Sequence, residues 1–206
     1  YAPRQEDWDI YSEVMMSHQR GGMHANELIE TYLLNEYHKP KDFEAFLYMN
    51  HVLQGDAIKA AIEAHRRDMP YCMGTLFWQH NDCWPVASWA SRDYYGRWKA
   101  QHYFARNTYR DILVSPIADG DGQLKIYLVS DRHKACSGTL EVEIMKLTGE
   151  VLSHFKRNVK VDANSSHTLF SVSLDEALKG ARKEDVFIHA TLLTDKGNSL
   201  YTNNYF

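Results

Sequence analysis

Residues 73–103 read MGTLFWQHNDCWPVASWASRDYYGRWKAQHY, and four of the chain's five tryptophans (Trp78, Trp84, Trp89, Trp98) lie inside this stretch. Residues 73–78 form a short apolar run rich in β-favouring side chains, which predicts a buried strand. The run breaks at Gln79, His80, Asn81 and Asp82, which are polar and turn-prone, and then reaches Trp84-Pro85. An apolar strand that ends in aromatics, amides and a carboxylate is how a βα-barrel presents a site at the C-terminal face of its strands. Flat indoles beside amides suit a sugar, whose ring has an apolar CH face and a fringe of hydroxyls. A single tryptophan in such a run serves equally well as core volume. The cluster, with amides between the rings, reads as a site.

Composition narrows the function classes. The 206 residues suffice for one large domain or two small ones, and 44% hydrophobic residues are ample for a packed core. A net charge of −4 without a basic patch excludes nucleic acid as an expected partner. No apolar run approaches the roughly 20 residues of a membrane span. Three cysteines (Cys72, Cys83, Cys136) show no C-x-x-C spacing, so neither a disulfide framework nor a zinc site is implied. The eleven histidines lack an H-E-x-x-H pattern, and no metal or cofactor is expected. The chain begins Tyr1-Ala2-Pro3 and stops at Phe206 within an apolar/polar alternation, as expected of a stretch cut from a longer polypeptide. Its compartment is therefore left open.

Around the Trp-rich stretch the pattern is helical. Residues 4–20 predict a helix with acidic residues in its first turn and Gly21-Gly22 as its stop. A second, more polar helix is expected over residues 23–38. Asp42 caps a long third helix, from residue 43 to about 67. Phe43, Phe46, Leu47, Asn50, Leu53, Ala57, Ala61 and His65 recur along it at i+3/i+4 as a core-facing stripe, interrupted by Gly55 at a cost of about 1 kcal/mol. A fourth helix is expected at about residues 97–108. Helix, strand, loop and helix make a piece of a βα repeat. One strand cannot close a barrel, and the long helix should expose its stripe unless further elements cover it.

Beyond residue 109 the period changes to two. Strands are expected at 111–114, 123–130, 139–147, 151–161, 167–172, 186–194 and 200–206, with hairpin turns at Thr148-Gly149 and residues 195–198 and a single helical turn at 175–179. About seven short strands in roughly 100 residues is the pattern of an immunoglobulin-like sandwich. Asn164-Ser165-Ser166 has the form of a glycosylation sequon, too common to weigh.

The run from Gly74 to Pro85, then Ser88-Trp89, then Gly96-Arg97-Trp98-Lys99 and His102-Tyr103, closely resembles the last barrel strand and following segment of β-mannosidases in glycoside hydrolase family 2. Those enzymes typically read G-A-L-Y-W-Q-L-N-D-x-W, S-W and G-x-W-K at similar spacing, and the family's glucosaminidases lack the W-Q-x-N-D run. The resemblance covers most of the chain, strongly over residues 43–109. It implies an α/β plus all-β chain: residues 1–109 as the C-terminal part of a TIM (β/α)8 barrel, and residues 110–206 as an immunoglobulin-like β-sandwich. It implies a retaining exo-β-mannosidase acting on terminal non-reducing β-D-mannose of mannooligosaccharides or glycans. The partners would then be that substrate and the remainder of the chain's own barrel. A secreted, periplasmic or lysosomal location rests on the resemblance alone.

Such enzymes use two glutamates with carboxyls about 5–5.5 Å apart. The nucleophile's S-E-[FY]-G setting is not in this chain; Ser12-Glu13 is followed by Val14-Met15, and Glu13 reads as a solvated helix residue. Both catalytic glutamates are therefore expected upstream of Tyr1, and the chain alone is expected to be inactive. What remains is one wall of a sugar site. Trp78 is the expected platform. Gln79, Asn81 and Asp82 either bind sugar hydroxyls or hold the loop, with Asp82 the more structural of the three. Trp84 and Trp89 either line the entrance or pack on the last helix. Cys83 and His80 are assigned no role. Two other readings stay open: a non-catalytic carbohydrate-binding or scaffolding module, and a family 2 β-glycosidase of different sugar specificity.

Overall fold

Period-two alternation needs neighbours on both edges before it becomes a sheet, and residues 112–205 supply them. The computed structural model describes residues 1–118 and 120–206. It contains β1 (Ile112–Ala118), β2 (Gln123–Ser130), β3 (Cys136–Lys146), β4 (Val151–Val161), β5 (Ser165–Ser173), β6 (Val186–Leu193) and β7 (Ser199–Tyr205). All pairings are antiparallel, in two sheets of order β1-β2-β5 and β4-β3-β6-β7. The alternating residues Leu124, Ile126 and Leu128 of β2, Leu140, Val142 and Ile144 of β3, and Ile188, Ala190 and Leu192 of β6 are buried in one shared core. Full burial of an aliphatic side chain of this size contributes about 1.5–3 kcal/mol, so these rows fix the register; a one-residue slip would turn each row to solvent.

The expected strand 111–114 continues to Ala118, past Pro116. Proline is tolerated there because β1 is an edge strand, where a missing N–H need not break a ladder. Gly149 and Gly197 adopt φ of +92° and +80° in the two hairpin turns, where a side chain would be strained. The helical turn between β5 and β6 is α5 (Leu174–Leu178), capped by the Ser173 hydroxyl, which accepts from the Glu176 N–H at 3.2 Å.

The remainder is helical, and here several expectations need correction. The helices are labelled α1 (Glu13–Ser17), α2 (Ala25–Glu36), α3 (Phe43–Arg67) and α4 (Ala100–Thr108). The single helix expected over residues 4–20 is instead a 3-10 turn at Gln5–Asp7 followed by α1. The break has a local cause: the Asp9 carboxylate accepts the Tyr11 N–H at 2.7 Å, and Ser12 then caps a new helix by accepting the Met15 N–H at 3.2 Å. For α3 the expected bounds agree, and the Asp42 carboxylate caps it through the Ala45 N–H at 2.7 Å.

The stripe on α3 is only partly right. Phe43, Phe46, Asn50 and Leu53 are half-buried, whereas Leu47, Ala57, Ala61 and His65 are exposed. The buried line turns through Gly55 and Ile62 instead, because the Phe104 ring of α4 lies against Gly55. A Cβ on Gly55 would meet that ring at 2.6 Å, so the glycine permits a close helix contact.

The strand expected at residues 73–78 does not form. The segment has no ladder partner among the described residues, and Leu76 is 101% exposed. A parallel-type strand is stabilised by flanking strands and covering helices, and without them an apolar run cannot close its hydrogen bonds. No barrel is evident in residues 1–109.

The chain separates into two compact units, one of Tyr1–Ile62 with Thr75–Thr108, the other of Glu63–Gly74 with Tyr109–Phe206. The second unit thus takes in the last turns of α3. Buried Glu63 accepts hydrogen bonds from the Ser115 hydroxyl and, at 3.0 Å, from the Asn203 amide, which also donates to the Val114 carbonyl at 2.8 Å. Arg67 donates to the Ser115 hydroxyl at 2.7 Å, and Arg66 pairs with Asp131 at 2.9 Å. Burial lowers the Arg67 pKa against the pull of Glu63, and burial first, then Glu63, raises that of the Tyr201 phenol.

Candidate functional site

The loop that follows residues 73–78 is ordered by its own backbone. The Ser91, Arg92 and Asp82 N–H groups donate to the Gln79, His80 and Arg92 carbonyls at 3.0, 2.9 and 3.0 Å. At the tip, Asp93 accepts from the Arg97 backbone N–H at 2.8 Å and pairs with its guanidinium at 2.6 Å, and Gly96 turns with φ of +85°. Burial works upward on the Asp93 carboxyl; the bonds from Arg97 overcome it and hold the pKa below the ordinary value. Trp98 is clasped by the stacked ring of His102 (centroids 3.8 Å apart), the edge of His80 (5.8 Å) and the Arg92 guanidinium (5.0 Å).

A second segment braces the loop from the side. Residues 18–20 run beside residues 85–87: Ala87 N–H donates to the His18 carbonyl at 2.8 Å, and Arg20 N–H to the Ala87 carbonyl at 3.2 Å. The His18 imidazole lies between the Tyr1 ring (4.7 Å, nearly parallel) and the Trp84 indole (5.6 Å), and its Nδ1 meets the Pro85 carbonyl at 2.7 Å. Burial, then the nearby Asp82 charge, raises the Tyr1 phenol.

Within this frame the six sequence-chosen residues divide. Trp78 presents its indole to solvent, at 71% exposed, and its peptide bond to Gln79 is cis. Asn81 is exposed, its amide donating to the Asp82 carbonyl at 3.2 Å. Trp89 is half exposed, and its carbonyl accepts from Gln54 of α3 at 3.1 Å. Gln79 and Trp84 are half-buried, the latter against His18. Asp82 is different: its side chain is 1% exposed and faces the Lys99 ammonium at 3.3 Å while accepting the Ser88 hydroxyl. The carboxylate is therefore an internal anchor in this arrangement.

Lys99 and Ser88 are the residues that sequence reasoning passed over. Both lie in the quoted S-W and G-x-W-K runs, so the signal was present without a partner to give it meaning. A separate cavity of about 700 Å³ in the same unit is lined by Trp8, Phe43, Phe46, Asn50, His51 and Trp98 among others, and by none of the six. Burial, then Lys99, lowers the His51 pKa.

Chemically, an exposed indole can stack on the apolar face of a ring, and an exposed amide can bond its hydroxyls. Glu13 is exposed in the first turn of α1. Among the described residues no three His, Cys, Asp or Glu side chains are grouped to hold a metal ion, and no helix is long and apolar enough to cross a membrane.

Residues 122–206 match the model of the mannosidase Ig/CBM-like domain. The β-mannosidase of Rattus norvegicus is 28% identical over 98% of the chain, which covers 25% of the rat protein. β-Mannosidase A of Aspergillus terreus is 33% identical over 71% of the chain, which covers 17% of the fungal protein. The crystal structure of β-D-mannosidase from Dictyoglomus thermophilum superimposes with a TM-score of 0.89 over 99% of the chain and 24% of its own, at 28% identity. The exo-chitosanase of Amycolatopsis orientalis shares the fold, with a TM-score of 0.80 at 16% identity. Residues 122–206 thus belong to the mannosidase Ig/CBM-like domain family, and the chain as a whole is a relative of the β-mannosidases that spans about a quarter of their length.

Proposed function

We propose that these 206 residues are the end of the catalytic barrel and the following sandwich of a retaining exo-β-mannosidase, and that they supply one wall of its sugar site. The observation that carries the reading is the exposed Trp78 indole at the entry to the braced loop, three residues before exposed Asn81. An indole stacked on the CH face of a sugar adds about 0.5–1.5 kcal/mol beyond its area. Segment 73–78 supports the second half of the proposal, because an apolar run outside any sheet, with Leu76 exposed, is what a barrel strand becomes when its neighbours are elsewhere. The similarity to β-mannosidases of four times this length agrees with that. In this reading the two glutamates of a retaining hydrolase come from upstream of Tyr1, and the chain alone does not turn over substrate.

The test is steady-state kinetics of the complete protein on 4-nitrophenyl β-D-mannopyranoside and its gluco and galacto counterparts. The wild type should prefer the mannoside. Trp78→Ala should lower kcat/KM about a hundredfold, about 2.7 kcal/mol of transition-state stabilisation. A change within twofold would remove Trp78 as the platform, and preference for another glycoside would change the sugar. Turnover by the 206-residue chain, free of contaminating enzyme, would overturn the placement of the catalytic glutamates.

A further inference from the structure

The Asp82 carboxylate is buried in the middle of the Trp-rich loop, and its environment is built rather than incidental. Oδ1 accepts the Ser88 hydroxyl, and that same hydroxyl oxygen accepts the Ala90 N–H at 3.1 Å. Oδ2 is sealed from solvent and accepts no hydrogen bond; the group facing it is the Lys99 ammonium, at 3.3 Å. Lys99 is itself 12% exposed in its side chain, and its Nζ also lies 3.4 Å from the Ser88 carbonyl. The Lys99 backbone N–H donates to the Ser91 carbonyl at 2.9 Å. One lysine therefore touches residues 82, 88 and 91 of the loop. Its ammonium faces those contacts, and the residue also lines the separate cavity beside Trp98.

We propose that Lys99 is a positioning residue of the sugar site: through Asp82 and Ser88 it fixes the attitude of the 78–82 segment that presents the Trp78 indole and the Asn81 amide. The inference rests on the reading of that segment as a sugar wall. Asp82, in this account, acts on substrate only through the backbone it holds. The physical reason is the asymmetry of buried charges: either partner alone is an uncompensated ion in a dry loop, whereas removing both leaves a neutral packing problem. A loop freed by about 1 Å is enough to cost on the order of a hundredfold in rate when the displaced groups align a substrate.

The experiment uses the complete enzyme with 4-nitrophenyl β-D-mannopyranoside, and compares Lys99→Met, Lys99→Arg, Asp82→Asn, the Lys99→Met/Asp82→Asn double variant and Trp78→Ala. All are assayed at a temperature where circular dichroism shows each to be folded. Lys99→Met should lower kcat/KM about a hundredfold, with the loss mainly in kcat. Lys99→Arg keeps the charge and should stay within about tenfold of wild type. The double variant should be no worse than Lys99→Met, the mark of two residues acting as one unit. If Lys99→Met does not fold, the double variant carries the same test, and a further loss beyond Asp82→Asn overturns the coupling. Lys99→Met within twofold of wild type, while Trp78→Ala loses its hundredfold, would overturn this role and leave the sugar wall standing. A loss carried by KM alone would overturn it as well, since that describes a group binding substrate. If Trp78→Ala is silent too, the sugar wall itself falls.

Discussion

Leu76 and Leu128 both sit in short apolar runs that read as strands, yet Leu76 is 101% exposed and Leu128 is 1% exposed. The difference lies in what surrounds each run. Leu128 belongs to β2, paired on one edge with β1 and on the other with β5, and its side chain enters a core shared with β3 and β6. Leu76 belongs to a unit whose buried apolar residues, such as Ile10, Leu33, Ile62 and Ala90, come from scattered loops and helices. A strand is thus a property of a pair, and the intrinsic preference of its residues sets only whether a pair, once available, is stable. The sandwich unit carries its own pairs; the helical unit carries a strand-former without them.

That contrast can be broken most directly by amide exchange. In the 206-residue chain the amides of β2 and β3 should open only with global unfolding, a cost of about 5–15 kcal/mol, and those of Leu76 and Phe77 should exchange almost as free peptide. In the complete protein Leu76 and Phe77 should become protected. Equal protection in both forms would show that these residues need no added neighbours.

The next largest effect should come from the buried polar socket that seats the end of α3 on β1 and β7. Glu63→Ala leaves Arg67, Ser115 and Asn203 without their shared acceptor, and urea unfolding of the sandwich unit should register a loss of about 3–5 kcal/mol. A loss below about 1 kcal/mol would mean that water replaces the carboxylate freely.

Gly55→Ala tests the helical unit in the same terms. The new methyl would collide with the Phe104 ring, which should cost about 1–3 kcal/mol despite the better helix propensity of alanine. Stabilisation instead would mean that the α3–α4 contact yields easily.

The smallest effect belongs to the surface. Asp111 pairs with Arg132 at 2.7 Å, with the Asp111 side chain 56% exposed. The hydrogen bond from Arg132 holds the Asp111 pKa below its ordinary value, against a smaller upward push from burial. A carboxylate depressed on folding adds stability above its unfolded pKa and loses it as pH falls through the folded value. Asp111→Asn should therefore cost no more than about 1 kcal/mol at pH 7, and the cost should fade below about pH 4, the unfolded aspartate range. A cost that persists at pH 2 would point to the hydrogen bond and not the charge.

Much of the molecule was legible from side-chain order alone. Leu124, Ile126 and Leu128 declare a half-buried strand because adjacent residues must point to opposite faces, and the bounds of β2 and β4 agree with that reading residue for residue. Asp42 and the bounds of α3 were equally readable, since a cap is satisfied within one turn of its own helix. The 4–20 segment was misread because Asp9 and Ser12 offered local hydrogen bonds that compete with a continuous helix. Trp78 and Asn81 could be chosen as candidates from their residue types. That Asp82 is an anchor could be only half anticipated, because its partners Ser88 and Lys99 stand six and seventeen positions further on.

By itself, then, the sequence determined the elements whose energetics close within a few residues: alternating strands, capped helices, glycine turns and the clustering of tryptophans. Only the tertiary structure decided which apolar run finds a partner, which face of α3 is covered, and which carboxylate of the Trp-rich loop is spent internally. Those outcomes depend on contacts between residues far apart in the chain, and neither burial nor the pairing of a charge is defined until the chain has folded back on itself.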